Sequence, residues 1–216
     1  MHDAKLISVT PDAEKHMVYC ARVSTPKNQD NEKYAGLLRY CMKHGHWSIF
    51  EQAHMTVEIN TTRDISAQIL RHSSAKFQEF SQRYADVTDL GYVVLPELRR
   101  QDEVNKQASH DDLPVAVKNE FLERILDHLA AERKLYADML EAGIAKECAR
   151  KITTIGCTPT RMYMTMNVRD WMFYIKARTY EGSQKEHRMV AESIKEIFRH
   201  QFPTCYDAFF DRPHAE

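Results

Sequence analysis

His54-Met55-Thr56-Val57-Glu58-Ile59-Asn60-Thr61-Thr62-Arg63-Asp64-Ile65-Ser66-Ala67-Gln68-Ile69-Leu70-Arg71-His72 changes its hydrophobic period part-way along. His54 to Ile59 combine β-branched side chains with a rough two-residue alternation, which predicts a strand. Thr61-Thr62-Arg63-Asp64 then reads as a helix start. A hydroxyl near the cap accepts from the unpaired first-turn N–H groups, and a carboxylate in that turn suits the helix dipole. The helix is expected to run to about His72. Gln68, Arg71 and His72, three and four residues apart, fall on one of its faces.

Upstream, Lys5 to Val9 reads as a short strand, and Asp12 to Arg22 and Asn31 to His44 as helices around a polar loop, Pro26 to Asp30. In the second helix Tyr34, Leu37, Leu38 and Cys41 form an apolar stripe. Downstream, Lys76 to Tyr84 shows no clean period, and Tyr92 to Leu95 predicts a short strand ending at Pro96. Glu97 to Asp112 is charged without an apolar face and reads as a surface excursion. Val115 to Leu140 is the longest helix candidate, with Phe121, Leu122, Ile125, Leu126, Leu129, Leu135, Met139 and Leu140 along one side and Gly143 as its stop. A helix around Cys148 to Lys151, a strand over Met162 to Val168 and helices over Trp171 to Arg178 and Lys185 to His200 complete the chain. Strands that are few, short and separated by helices of varied length predict one α+β domain over residues 1–216, not the regular alternation of a doubly wound sheet.

The 216 residues are 43% hydrophobic and 28% charged with a net charge of -1, which supplies a core and argues against a surface built for nucleic acid. Charges interrupt every apolar run, so no membrane span is expected. The N-terminus lacks a signal-peptide layout, and a cytoplasmic protein is expected. The five cysteines, Cys20, Cys41, Cys148, Cys157 and Cys205, are odd in number and include no C-x-x-C pair, which argues against a disulfide scaffold or zinc ribbon and predicts reduced thiols. His187 follows Glu186 without H-E-x-x-H spacing, so a metal hydrolase is a poor fit.

Arg71 to Tyr84 interleaves arginine, histidine, lysine, serine and amide side chains with Phe77, Phe80 and Tyr84. A solvated face is the plain alternative, but this mixture suits a pocket for a flat ring with an anionic tail. Guanidinium forks grip phosphate while aromatic faces cover the ring. A second polar group lies near the C-terminus. Asn167 and Arg169 point to one side of a strand, and Tyr174 and Arg178 are i and i+4 on the next helix.

Gln68-x-x-Arg71-His72-x(8)-Ser81-x-Arg83-Tyr84 resembles the R-H-R-x(7)-S-x-R-Y signature of the flavin-dependent thymidylate synthases. Ala21-Arg22-Val23-Ser24, His46-Trp47-Ser48-Ile49-Phe50-Glu51, Asn167-x-Arg169 with Arg178, and Gln184-x-Glu186 are similar to further motifs of that family, in its order and over almost the whole chain. The resemblance implies an α+β fold with a twisted, mainly antiparallel sheet flanked by helices. It implies methylation of dUMP to dTMP with FAD as cofactor and NADPH and methylenetetrahydrofolate as co-substrates, in a homotetramer with shared active sites. FAD would be contacted by Ser48, Arg71, His72, Glu79, Asn167 and Arg169, with Ser73, Lys76 and Phe173 beside them. Gln68, Arg71, Glu79, Phe80, Ser81, Gln82, Arg83, Arg150 and Arg178 would hold dUMP. Arg178, Ser81 and Arg83 would be closest to the chemistry, Arg178 by favouring ionisation of the uracil N–H. No cysteine would add to the ring.

The chain departs from the pattern at three places. Ser73 replaces the second arginine of the triplet, with Lys76 three residues on as the candidate to restore its charge. No Leu-Pro follows Arg150, and Phe173 stands where an asparagine is usual. The alternatives are a relative acting on another pyrimidine nucleotide or transferring a hydroxymethyl group, and a catalytically weak nucleotide- or flavin-binding protein.

Overall fold

The structure, a computed structural model, describes residues 1–91 and 93–211. β1 spans Asp3–Val9, α1 Ala13–Ala21, α2 Ala35–Lys43, β2 His54–Thr62, α3 Arg63–Ile69 and β3 Lys76–Glu79. A two-stranded hairpin follows, β4 at Arg100–Gln101 and β5 at Ser109–His110, then α4 over Val115–Glu141 and α5 over Lys146–Ala149. β6 covers Pro159–Asn167, α6 Val168–Arg178, α7 Lys185–Gln201 and α8 Pro203–Tyr206, with a π turn at Asp207–Asp211. Short 3-10 helices form at Pro26–Asn28, Trp47–Glu51 and Arg150–Ile152.

The main sheet has the order β1-β2-β6-β3, with every pair antiparallel. Alternation assigns its two faces. Met55, Val57 and Ile59 of β2 lie opposite Met166, Met164 and Met162 of β6, and all six are buried. α7 packs on this face against β1 and β2, burying Val190, Ala191, Ile194 and Phe198. Between these layers Trp171 is fully enclosed and donates its indole N–H to the Met55 carbonyl at 3.0 Å. The opposite face is polar. Tyr163 donates to Glu58 (3.0 Å), Arg161 to Asn60 (3.0 Å), and the Thr56 and Thr165 hydroxyls meet at 2.8 Å.

Several expected boundaries move for physical reasons. Thr62 ends the β2 ladder to β6 and is also the N-cap of α3, with Asp64 in the first turn as the sequence suggests. Its hydroxyl donates to the Asp64 carboxylate instead of accepting from a first-turn N–H. α3 ends at Ile69, leaving Arg71 and His72 in the turn beyond it. Val93 to Leu95 form no strand. The Val94 N–H is satisfied by the Cys157 carbonyl instead (2.8 Å), while Tyr92 of the same expectation lies outside the described residues. Lys76–Glu79, which lacks a periodic signal, becomes an edge strand because β6 offers it a ladder.

Candidate functional site

α6 carries Arg178 into the site at its last turn. Asn167 caps that helix, its side-chain oxygen accepting from the Asp170 N–H at 2.8 Å. Arg178 Nε donates to His72 Nε2 (3.2 Å), and the His72 ring stands edge-on to Tyr174 with centroids 4.8 Å apart. Burial, then the Arg178 charge, lowers the His72 pKa, so this ring is a neutral acceptor.

Gln68, Arg71 and Arg178 line one cavity of about 930 Å³, together with Arg99, just before β4, and Lys106 and Ser109 of the β4–β5 hairpin. No carboxylate lines it, and among the described residues neither Arg71 nor Arg178 has an acidic partner within ion-pair distance. Arg99 is different. It makes a bidentate pair with Glu186 (2.7 and 3.0 Å) and donates Nε to Ser109 (3.0 Å). It also borders a second cavity of about 360 Å³ with His2, Asp64 and Cys157, and so forms part of the wall between the two. The hairpin's share of the site was missed in the sequence. The available signal was its mixture of arginine, lysine and amides, the same mixture that singles out residues 71 to 84.

Beneath Gln68 runs a chain of buried polar groups. Gln68 Nε2 donates to Gln184 Oε1 (2.7 Å), Gln68 Oε1 lies 3.3 Å from His187 Nδ1, and His187 Nε2 lies 3.1 Å from the Tyr174 hydroxyl. His187 and Tyr174 are 1% and 3% exposed, so both titrations are strongly perturbed. Burial, with Arg178 and His72 nearby, pushes the His187 pKa down to about 4, and burial raises that of Tyr174. Both groups are neutral at physiological pH.

The remaining expected residues lie elsewhere on the chain. Ser48 borders a separate cavity of about 530 Å³ with Tyr19, Cys20 and Gln52. Ser81 and Arg83 border one of about 420 Å³ with Lys146 and Glu147, and Arg83 pairs with Glu147 at 3.3 Å. Glu79 is turned inward to Arg63 (2.9 Å), Ser66 (2.8 Å) and Thr160 (2.8 Å). Phe80 is half-buried, and Gln82 is buried with its amide nitrogen unpaired. Ser73 is exposed. Lys76 is exposed opposite Thr165, on the polar face of the sheet, whereas Glu79 projects to the core face. Asn167 is occupied as a helix cap, Arg169 pairs with Glu51, and Phe173 packs edge-on against Trp47 (5.1 Å) and Phe209 (5.5 Å). Arg150 opens a 3-10 turn and borders none of these four cavities. All five cysteines are free thiols, and none borders the 930 Å³ cavity. Among the described residues no cluster of three or more His, Cys, Asp or Glu could hold a metal ion, and no helix is long and apolar enough to cross a membrane.

The family model described as thymidylate synthase complementing protein matches residues 5–204. The probable flavin-dependent thymidylate synthase of Paramecium bursaria Chlorella virus 1 is 48% identical over 213 residues, covering 95% of this chain and 97% of its own. The flavin-dependent thymidylate synthase of Synechocystis sp. is 47% identical over 188 residues, covering 87% and 85%. Among solved structures, a UMP/dUMP methylase from Streptomyces cacaoi bound with 5-Br dUMP superposes with a TM-score of 0.83 at 25% identity, over 96% of this chain and 94% of that one. The chain belongs to the thymidylate synthase complementing protein family, that of the flavin-dependent thymidylate synthases.

Proposed function

We propose that this family member methylates the uracil ring of dUMP, with FAD as cofactor and methylenetetrahydrofolate and NADPH as co-substrates. The observation that carries the reading is the carboxylate-free cavity where Gln68, Arg71 and Arg178 converge. Guanidinium groups without acidic partners suit a nucleotide phosphate and a ring that gains negative charge. Arg178 is the candidate to stabilise that charge. One well-placed donor to a developing anion contributes about 3 kcal/mol. Its Nε is held by neutral His72, which leaves the terminal nitrogens for the substrate.

FAD, when bound, supplies the redox chemistry. Arg71 at this cavity and His72, which holds Arg178 from behind it, are proposed contacts, with Ser73 and Lys76 on the turn and strand that follow. Ser48, Glu79, Asn167, Arg169 and Phe173 are the proposed contacts from other elements. The separation of the sites supports an assembly. Gln68, Arg71 and Arg178 border one cavity, Ser81 and Arg83 another and Ser48 a third, so a single copy does not gather the proposed set. A homotetramer whose active sites are shared between subunits accounts for this, and a cytoplasmic location fits the free thiols.

The solved relative is described as a UMP/dUMP methylase and also crystallised with 5-Br UMP, which favours UMP as the second reading. Turnover of dUMP against UMP separates the two, and the product mass distinguishes methyl from hydroxymethyl transfer. The decisive test is Arg178→Ala in the flavin-loaded protein. Loss of most of kcat with flavin retained is expected, because the loss is of transition-state charge stabilisation. An unchanged kcat would remove Arg178 from the chemistry, and failure of the wild-type chain to take up FAD would end the enzyme reading.

A further inference from the structure

The buried chain from Tyr174 to the cavity has only one consistent arrangement of protons. The Tyr174 hydroxyl is enclosed, and His187 Nε2 is its one hydrogen-bond partner among the described residues. A buried hydroxyl must place its proton on an acceptor. Tyr174 therefore donates to Nε2, which puts the His187 proton on Nδ1. That N–H points at Gln68, which must present its oxygen to it (3.3 Å). The Gln68 amide is thus fixed with its nitrogen on the far side. One of its two N–H groups reaches Gln184 Oε1 at 2.7 Å, and Gln68 and Gln184 both line the cavity. A free glutamine side chain can turn over and offer either group; this one cannot.

We infer that Tyr174 and His187 are positioning residues that lock the Gln68 amide nitrogen toward the cavity as a donor, so that it accepts only a nucleotide presenting an oxygen acceptor there. The inference rests on the nucleotide reading of the cavity. The acceptor is a uracil carbonyl oxygen or a phosphate oxygen, and both lack a proton to donate. A ligand offering an N–H donor at that point meets a second donor, an unpaired contact that binding does not recover.

Two measurements on the flavin-loaded protein test this. The first is the His187 tautomer by nitrogen-15 NMR, assigned by loss of the signal in His187→Asn. A neutral Nδ1–H ring is expected, and an Nε2–H ring overturns the inference whether or not dUMP binds. The second is the dUMP dissociation constant in Tyr174→Phe, Gln68→Ala and the double variant. Tyr174→Phe keeps the packing and removes the proton donor. It should weaken dUMP by about three- to ten-fold, the worth of one hydrogen bond, with no further loss once Gln68 is Ala. Equal losses in both backgrounds would mean that Tyr174 acts through general stability, and the inference fails. His187→Asn, whose amide N–H can stand where Nδ1–H stood, should bind dUMP within about two-fold of wild type, and His187→Gln should not. A Tyr174→Phe loss seen with dUMP but not deoxyuridine assigns the acceptor to the phosphate, and a loss seen with both assigns it to the ring. If wild type binds neither, the nucleotide reading fails and the tautomer alone decides the orientation.

Discussion

α7 and α4 both carry an apolar stripe, and they meet the rest of the chain in opposite ways. On α7, 17 residues long, Val190, Ala191, Ile194 and Phe198 are each 0% exposed beneath the sheet. On α4, 27 residues long, only Leu129 and Tyr136 are buried, while Phe121, Leu126 and Leu135 are 44%, 46% and 51% exposed. Periodicity states that a face is fit to be covered, and it does not state which chain covers it. For α7 the cover is this chain's own sheet. For α4 the cover that fits the proposed assembly is another copy.

The largest effect is expected on the α7 side. Phe198→Ala should lose about 3–5 kcal/mol of stability in urea unfolding, because a fully enclosed ring leaves a cavity the fold cannot close. A loss below about 1 kcal/mol would erase the contrast. Next comes pH. His187 on α7 has a folded pKa of about 4, below its unfolded value of 6.5, so the unfolded chain binds more protons between these values. The stabilisation is complete above the unfolded pKa and is lost as pH falls toward 4, by up to about 3 kcal/mol. His187→Asn should flatten that part of the stability–pH curve, and a wild-type curve already flat there would contradict the buried neutral ring. On α4, Leu135→Asp and Phe121→Asp should change the chain's own stability by about 0.5 kcal/mol or less, as surface substitutions do, while lowering the mass seen in sedimentation. Retained mass would show that this stripe meets no second copy. The smallest effect belongs to Lys134, whose ion pair with Asp138 (2.6 Å) spans one turn of exposed helix. Its replacement by Ala should cost about 0.3–0.5 kcal/mol in urea unfolding.

The same contrast bears on what the sequence made legible. β2, α7 and α4 each keep a period along their length, whether this chain covers the apolar face or leaves it exposed, so the sequence predicts them closely. β6 and α6 both begin three residues before their expected starts, because the strand ladder and the Asn167 cap, not a period, set those ends. The 3-10 turn at Trp47–Glu51, the α8 and π-turn segment after Pro203 and the edge strand β3 are held by tertiary partners, which leave no period of their own. In the site, Gln68, Arg71 and Arg178 were legible through spacing and motif, and they do share a cavity. Arg99 and Lys106 were not, because a two-residue strand pair carries too little pattern to distinguish a cavity wall from a surface loop. The Tyr174–His187 chain escaped for another reason. A tyrosine and a histidine 13 positions apart have no signature until two helices bring them within 3.1 Å.

The methionine row of β6 bears on how this chain can drift in sequence. Met162, Met164 and Met166 are unbranched and flexible, and they face the layer of helices that delivers Arg178 and His187. Such side chains refill the space left when a neighbour gains or loses a methyl group, whereas branched ones force the backbone to move. Substitutions in α6 and α7 can then accumulate with little disturbance to the register of the strands beneath. The sheet acts as a mutational buffer, and the positions free to vary are those whose changes methionine can absorb.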